Sequence, residues 1–269
     1  MSLFPEGGPG RHLKARLAAG EVLVCAMVAE YARPSLMKLY SQAGIDFVFF
    51  EYEHAYFSPT ALADTVLAAR DSGLPPIAKT PQLDRQEVAK LLECGVIGIQ
   101  LPRTESRAQV EDLRSYMKFP PAGTRAAAIG LGNSDYSLPD DLRNLQDWMD
   151  DQDAETTLIV HIETRLAYDN ADEIVGTPGV DMVYVGPGDF SIEMGHPGQY
   201  DHPGVVGPTE DILDLCRKHG VPFGTSATSV KGAQRWVDQG ASFFLAADEL
   251  SFIRRGAARL VEDYSALKR

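Results

Sequence analysis

The chain has 269 residues, 44% hydrophobic and 23% charged, enough to bury the core of one large domain. A net charge of −13 and a pI of about 4.9 exclude nucleic acid as a partner, because no basic stripe is present to neutralise phosphates. No apolar run reaches the ~18 residues of a membrane span, and no basic segment followed by an apolar one opens the chain, so no membrane partner and a cytoplasmic location are expected. The cysteines, Cys25, Cys94 and Cys216, are far apart and odd in number, and read as small buried hydrophobes.

Residues 1–10 are rich in Gly and Pro and are expected to be loose, with 11–269 forming a single domain. A helix over 11–19 ends at Gly20, a strand follows over 22–28, and a helix over 34–43 stops at Gly44. The second strand, 47–50, runs into Glu51-Tyr52-Glu53-His54. A helix over 60–70 follows Ser58-Pro59, with Pro favoured at a first helical position. A strand over 76–79 ends at Lys79. Asp84 caps a helix through 93 that Gly95 closes, and a strand over 96–101 and a helix over 106–117 come next. The rhythm then breaks at 119–133, a Pro/Gly/Ala-rich loop too long for a simple connector, followed by a polar helix over 140–150. Strands over 158–162 and 180–185 flank a helical pattern at 166–175 broken by Thr177-Pro178-Gly179. A helix over 210–219, a strand over 221–225, a helix over 230–239, a strand over 242–246 and a closing helix over 252–267 complete the chain.

Strands alternating with helices eight times over favour an α/β fold of the (β/α)8 TIM-barrel type over an open doubly wound sheet. No Gly-x-Gly-x-x-Gly follows the first strand, which counts against a dinucleotide fold. Functional groups of a barrel gather at the C-terminal ends of its strands. Glu51, Glu53, His54, Lys79, Glu163, Gly188, Asp189, Ser226 and Asp248 stand there. Glu163 and Asp189 close the two parallel strands of one β-α-β unit, so both carboxylates reach the same sheet edge. Two such acids repel unless a cation lies between them, and a divalent metal is the economical answer.

Four segments, in this order and spacing, resemble the HpcH/HpaI family of metal-dependent aldolases: Phe49-Phe50-Glu51-Tyr52-Glu53-His54-Ala55, Pro120-Pro121-Ala122-Gly123-Thr124-Arg125, His161-Ile162-Glu163-Thr164-Arg165 and Gly186-Pro187-Gly188-Asp189-Phe190-Ser191. The resemblance implies cleavage of a 4-hydroxy-2-oxo acid to pyruvate and an aldehyde. It implies a divalent ion (Mg2+, Mn2+ or Co2+) on Glu163 and Asp189, and a keto-acid carboxylate cradled by the amides of Gly188 and Asp189. It makes His54 the group for base chemistry, oriented by Glu51. It also implies a homo-oligomer, a hexamer or trimer of dimers, whose C-terminal helix exchanges between subunits. The chain departs from the family pattern at three places. Lys79 stands where the family has Arg contacting the keto oxygen, His161 where it has Gln, and Glu51 where it has Asp.

Lys79 keeps the positive charge but not the planar fork, and a strand-end lysine also raises a Schiff-base mechanism. Arg125 either guides an anionic substrate or pairs with an acid. His161 is a substrate-site group, a supporting group or core. Glu53 is a candidate acceptor for a metal-bound water. Alternatives to the aldolase are a related lyase or decarboxylase acting on another keto acid or a CoA ester, and a metal- and keto-acid-binding protein without turnover.

Overall fold

The computed structural model describes Phe4 and residues 7–138, 145–227, 229–265 and 267. Eight parallel strands close into a barrel in sequence order: β1 (Leu23–Val28), β2 (Phe47–Glu51), β3 (Pro76–Lys79), β4 (Gly98–Leu101), β5 (Thr157–Ile162), β6 (Met182–Val185), β7 (Phe223–Thr225) and β8 (Phe243–Asp248). Helix α1 (Pro9–Ala18) precedes the barrel. Helices α2 (Pro34–Ala43), α3 (Pro59–Asp71), α4 (Arg85–Glu93), α5 (Arg107–Met117), α6 (Leu145–Glu155), α7 (Arg165–Asp169), α8 (Ala171–Val175), α9 (Pro187–Glu193), α10 (Pro203–His219), α11 (Val230–Gln239) and α12 (Glu249–Ser265) follow in chain order.

The period of two along each strand sorts side chains between two cores. Outward residues such as Val48, Phe50, Ile99, Val160, Ile162 and Val183 pack under the helices. Inward residues such as Cys25, Phe47, Phe49, Ile77, Ile159, Met182, Tyr184 and Phe243 fill the barrel, and Leu13 and Leu17 of α1 join them. The same parity carries Glu51, Lys79, Gln100 and His161 inward at the C-terminal end, where the register pairs Glu51 with Lys79, Lys79 with Gln100, and His161 with Tyr184. Apolar packing gives way to polar groups at that end. The site is the continuation of the core by other residue types.

Several expected elements shift. Helix α1 begins at Pro9, with Pro9 and Gly10 buried. A Cβ on Gly10 would fall 1.8 Å from the carbonyl oxygen of Glu155, so only glycine allows α1 to lie this close to α6. The Phe4 ring meets the His12 ring of α1 at a tilt of 57°, with centroids 5.7 Å apart. The helix expected over 140–150 runs from Leu145 to Glu155, and residues 140–144 lie outside the described ones. The single helix expected over 166–175 is two, parted at Asn170, whose ψ of 11° breaks the helical path. Helix α10 starts seven residues before the expected 210, at Pro203, and tolerates Pro208 inside it. Ser58 and Asp84 cap α3 and α4 with their side chains, as the sequence indicates, and Ser106, expected as the first residue of its helix, caps α5. No disulfide forms; Cys25 and Cys216 are buried and Cys94 half-buried.

Candidate active site

Lys79, at the end of β3, is buried, with its ammonium 2.5 Å from Glu53 Oε2 and 3.5 Å from Glu51 Oε2. Burial acts to lower its pKa, but the charges of Glu51, Glu53 and Glu163 outweigh that and hold the ammonium above its ordinary value. A lysine held cationic in this way serves as a positive charge and is poorly disposed to act as an amine nucleophile.

Glu51 does not touch the His54 ring. Its Oε1 accepts the backbone N–H groups of Glu53 at 3.1 Å and His54 at 3.3 Å, and so shapes the turn after β2. The imidazole itself stands 3.3 Å from Glu53 Oε2 and is largely exposed at the mouth. Orientation of the ring therefore falls to Glu53, and Glu51 acts one step back, through the backbone.

Glu163 follows β5 and is 3% exposed. One oxygen accepts the backbone N–H of Arg103 at 2.8 Å, and the other lies 3.1 Å from Nε2 of His161. Arg165 does not pair with Glu163; its guanidinium sits over the Tyr168 ring instead. Burial pushes the Glu163 carboxyl up to about 7. Lys79 and the Arg103 amide oppose the rise, and the neighbouring charges of Asp189 and Glu53 add to it. Asp189 and Glu163 thus stand at one edge, where the charge of Asp189 adds to the cost of ionising Glu163. Asp189 lies exposed in the first turn of α9. Gly186 caps that short helix, and the first-turn amides of Gly188 and Asp189 have no partner within the helix by construction.

His161 is 5% exposed, and burial, with the charge of Lys79, drives its pKa well below the ordinary value. Neither ring nitrogen makes a hydrogen bond, because the close approach to Glu163 lacks the required angle. Burial and the Lys79 charge both favour the neutral ring over the imidazolium. It packs 4.9 Å from the Tyr184 ring. A Cβ on residue 186 would come within 2.4 Å of its Nε2, so the Gly-Pro turn needs glycine to admit the imidazole.

Arg125 is not in this constellation. Its guanidinium lies over the Phe119 ring at 4.6 Å and lines a small cavity with Val96, Ile97 and Thr156, which precede β4 and β5 at the N-terminal end of the barrel. The chain turns back after α5 reaches that end, as the bond from Arg125 N–H to the Lys118 carbonyl shows. Burial lowers the Arg125 pKa to about 10, with Asp153 and Glu93 offsetting part of the effect. The expected substrate contact is corrected to a structural one on the opposite face.

Three groups escaped the sequence reading. Arg103 holds a φ of 47°, and that left-handed backbone accompanies an N–H directed at Glu163; nothing in the sequence marks it. Gln100 is buried inward one strand from Lys79, and the period of two would have found it. Glu249 is buried where Asp248 had been expected to matter. Asp248 instead caps α12 by accepting the Ser251 N–H at 2.6 Å. Ser226 pairs with the Tyr184 hydroxyl at 2.7 Å.

Among the described residues, Glu51, Glu53 and His54 also offer ligand atoms within 4.8 Å of one another. That group already holds the Lys79 ammonium. The buried Glu163 feels the charge of Lys79 but makes no ion pair with a lysine or arginine among the described residues, and its carboxylate, with that of Asp189, is a donor set that suits a hard divalent ion.

The model of the HpcH/HpaI aldolase/citrate lyase family matches residues 26–254. A 5-keto-4-deoxy-D-glucarate aldolase of Salmonella arizonae is 28% identical over 252 residues, covering 93% of this chain and 95% of that protein. A solved HpcH/HpaI aldolase from Desulfitobacterium hafniense superposes with a TM-score of 0.88 at 27% identity, over 95% of this chain and 97% of that one. A solved citrate synthase shares the fold, with a TM-score of 0.83 at 24% identity over 94% and 97% of the two chains.

Proposed function

The chain belongs to the HpcH/HpaI aldolase/citrate lyase family and is an enzyme of the class II aldolase type, and on that premise we propose that it cleaves a 4-hydroxy-2-oxo acid to pyruvate and an aldehyde. The observation that carries the reading is the buried Glu163, with its proton affinity raised by burial and by Asp189, facing Lys79 and His161 at the C-terminal barrel end.

Glu163 and Asp189 would hold a divalent ion of the Mg2+, Mn2+ or Co2+ kind, which supplies Lewis-acid stabilisation of negative charge developing on the keto oxygen. The amides of Gly188 and Asp189, in the first turn of α9, bind the keto-acid carboxylate. Lys79, kept cationic by its carboxylate neighbours, adds positive potential for the enolate. Its ammonium is a point charge held by Glu51 and Glu53, so it acts at a distance rather than through a bidentate fork. His54, exposed at the mouth and oriented by Glu53, takes the proton of the substrate hydroxyl as the carbon–carbon bond breaks. His161, neutral and unpaired, offers a ring nitrogen beside Glu163 as a donor to bound substrate.

The name of the Salmonella arizonae relative makes a 4-deoxy-5-keto sugar diacid the first substrate to assay. Chelator-treated protein should release pyruvate from it only when Mg2+, Mn2+ or Co2+ is restored. Equal release with and without metal contradicts the proposal.

The chain is further proposed to work as a homo-oligomer built through α12. That helix is exposed along most of its length yet carries Phe252, Ile253, Leu260, Val261 and Tyr264. An apolar groove of about 550 Å³ opens between its first turns and α2. These features support an exchange of α12 between subunits.

A further inference from the structure

Glu249, the first residue of α12, is a carboxylate with 2% exposure and no cationic side chain against it among the described residues. Its Oε1 accepts the backbone N–H groups of Glu30 at 2.6 Å, Tyr31 at 2.8 Å and Ala29 at 3.0 Å, and its Oε2 shares the last of these at 3.0 Å. Three consecutive amides of the segment after β1 therefore converge on one side chain from the far end of the sequence. The same segment is braced from its other side, where the Tyr40 hydroxyl donates to the Met27 carbonyl at 3.0 Å. The Tyr40 ring in turn meets Phe252 of α12 edge-on, with centroids 5.9 Å apart.

In a closed ring of eight strands β1 lies opposite β5. The 29–31 backbone thus stands across the barrel mouth from Glu163. A ligand with its keto-acid end held at Glu163 and Asp189 would have that side of the mouth open to its remaining carbons. We propose that Glu249 is a positioning residue for the acceptor half of the site. It fixes the 29–31 segment in the shape against which the aldehyde portion packs, and does not touch the reacting atoms. A buried carboxylate without a cation is a costly way to hold a loop if stability were the sole return. Geometry at the mouth is what three convergent charge-assisted bonds secure. Because Glu249 opens α12, the seating of that helix and the shape of the mouth are mechanically linked. The assignment of this side to an aldehyde rests on the aldolase reading above; the carboxylate–amide clamp does not.

The test separates the two halves of the reaction in E249Q and E249D. One measurement follows Mn2+-supported addition of pyruvate to glycolaldehyde, and the other the exchange of pyruvate methyl protons for deuterium. E249Q, which keeps one acceptor oxygen and sets an NH2 against the amides, is expected to raise the glycolaldehyde KM about tenfold while exchange stays within about twofold of the parent. E249D, with both oxygens retained, is expected to recover most of that loss. An unchanged KM, or an equal fall in both reactions, overturns the proposal. If neither variant folds, or if the parent protein exchanges no pyruvate protons and the aldolase reading itself fails, amide hydrogen exchange of the parent decides. The 29–31 amides should be as slow as those of β1, and exchange at free-peptide rates overturns the clamp.

Discussion

At the residue scale the chemistry turns on which charges are buried and what compensates them. Glu163 binds its proton more tightly folded than unfolded, with its carboxyl raised from 4.5 to about 7. Between those values the metal-free native state holds more protons than the unfolded chain, so this group's contribution to stability falls as pH rises. The melting temperature of metal-free parent protein, relative to E163Q, should drop between pH 5 and pH 8 by an amount worth on the order of 2–3 kcal/mol. Scanning calorimetry at the two pH values, with and without Mn2+, checks this; the ion should stabilise the parent more at the higher pH. Lys79 has a different task. Replacing it with the uncharged K79M should cut kcat by roughly 100-fold or more, the usual loss when a group stabilising transition-state charge is removed. Arg125 separates position from motif. R125M should lower the melting temperature, since its cation–π and packing contacts at the N-terminal face are lost, and should leave substrate KM unchanged in steady-state assays.

At the scale of elements, much was legible from sequence. The eight strands appear at their expected places because β-branched and aromatic runs bounded by Gly and Pro leave few other solutions. That Glu163 and Asp189 stand at the same sheet edge followed from β5 and β6 being parallel and adjacent. What sequence could not supply was partner choice across elements. Glu53 rather than Glu51 faces the His54 ring, the Arg103 amide reaches Glu163, and the 119–133 loop folds back to the N-terminal face. Each depends on a turn whose path is set by tertiary contacts rather than by local propensity. The Gly186 turn gives a direct probe of such a contact. G186A should displace His161, cost about 1–3 kcal/mol of stability and depress activity. Thermal melts and turnover of the single variant test it, and an unaffected enzyme would show that the imidazole does not need the space.

At the scale of the whole molecule, the barrel interior is apolar along most of its length and turns polar at its C-terminal mouth, and no helix among the described residues is long and apolar enough to cross a membrane. Helix α12 is exposed along most of its length. The L260D/V261D double variant should shift the protein toward monomer in light scattering. The central claim, however, concerns the paired carboxylates. It is tested most directly by following deuterium uptake into the methyl group of pyruvate, in parent and E163Q protein, with and without Mn2+. The account predicts rapid uptake in the parent that requires the metal, and uptake at the uncatalysed rate in E163Q. Metal-independent uptake, or an E163Q protein as active as the parent, would contradict it.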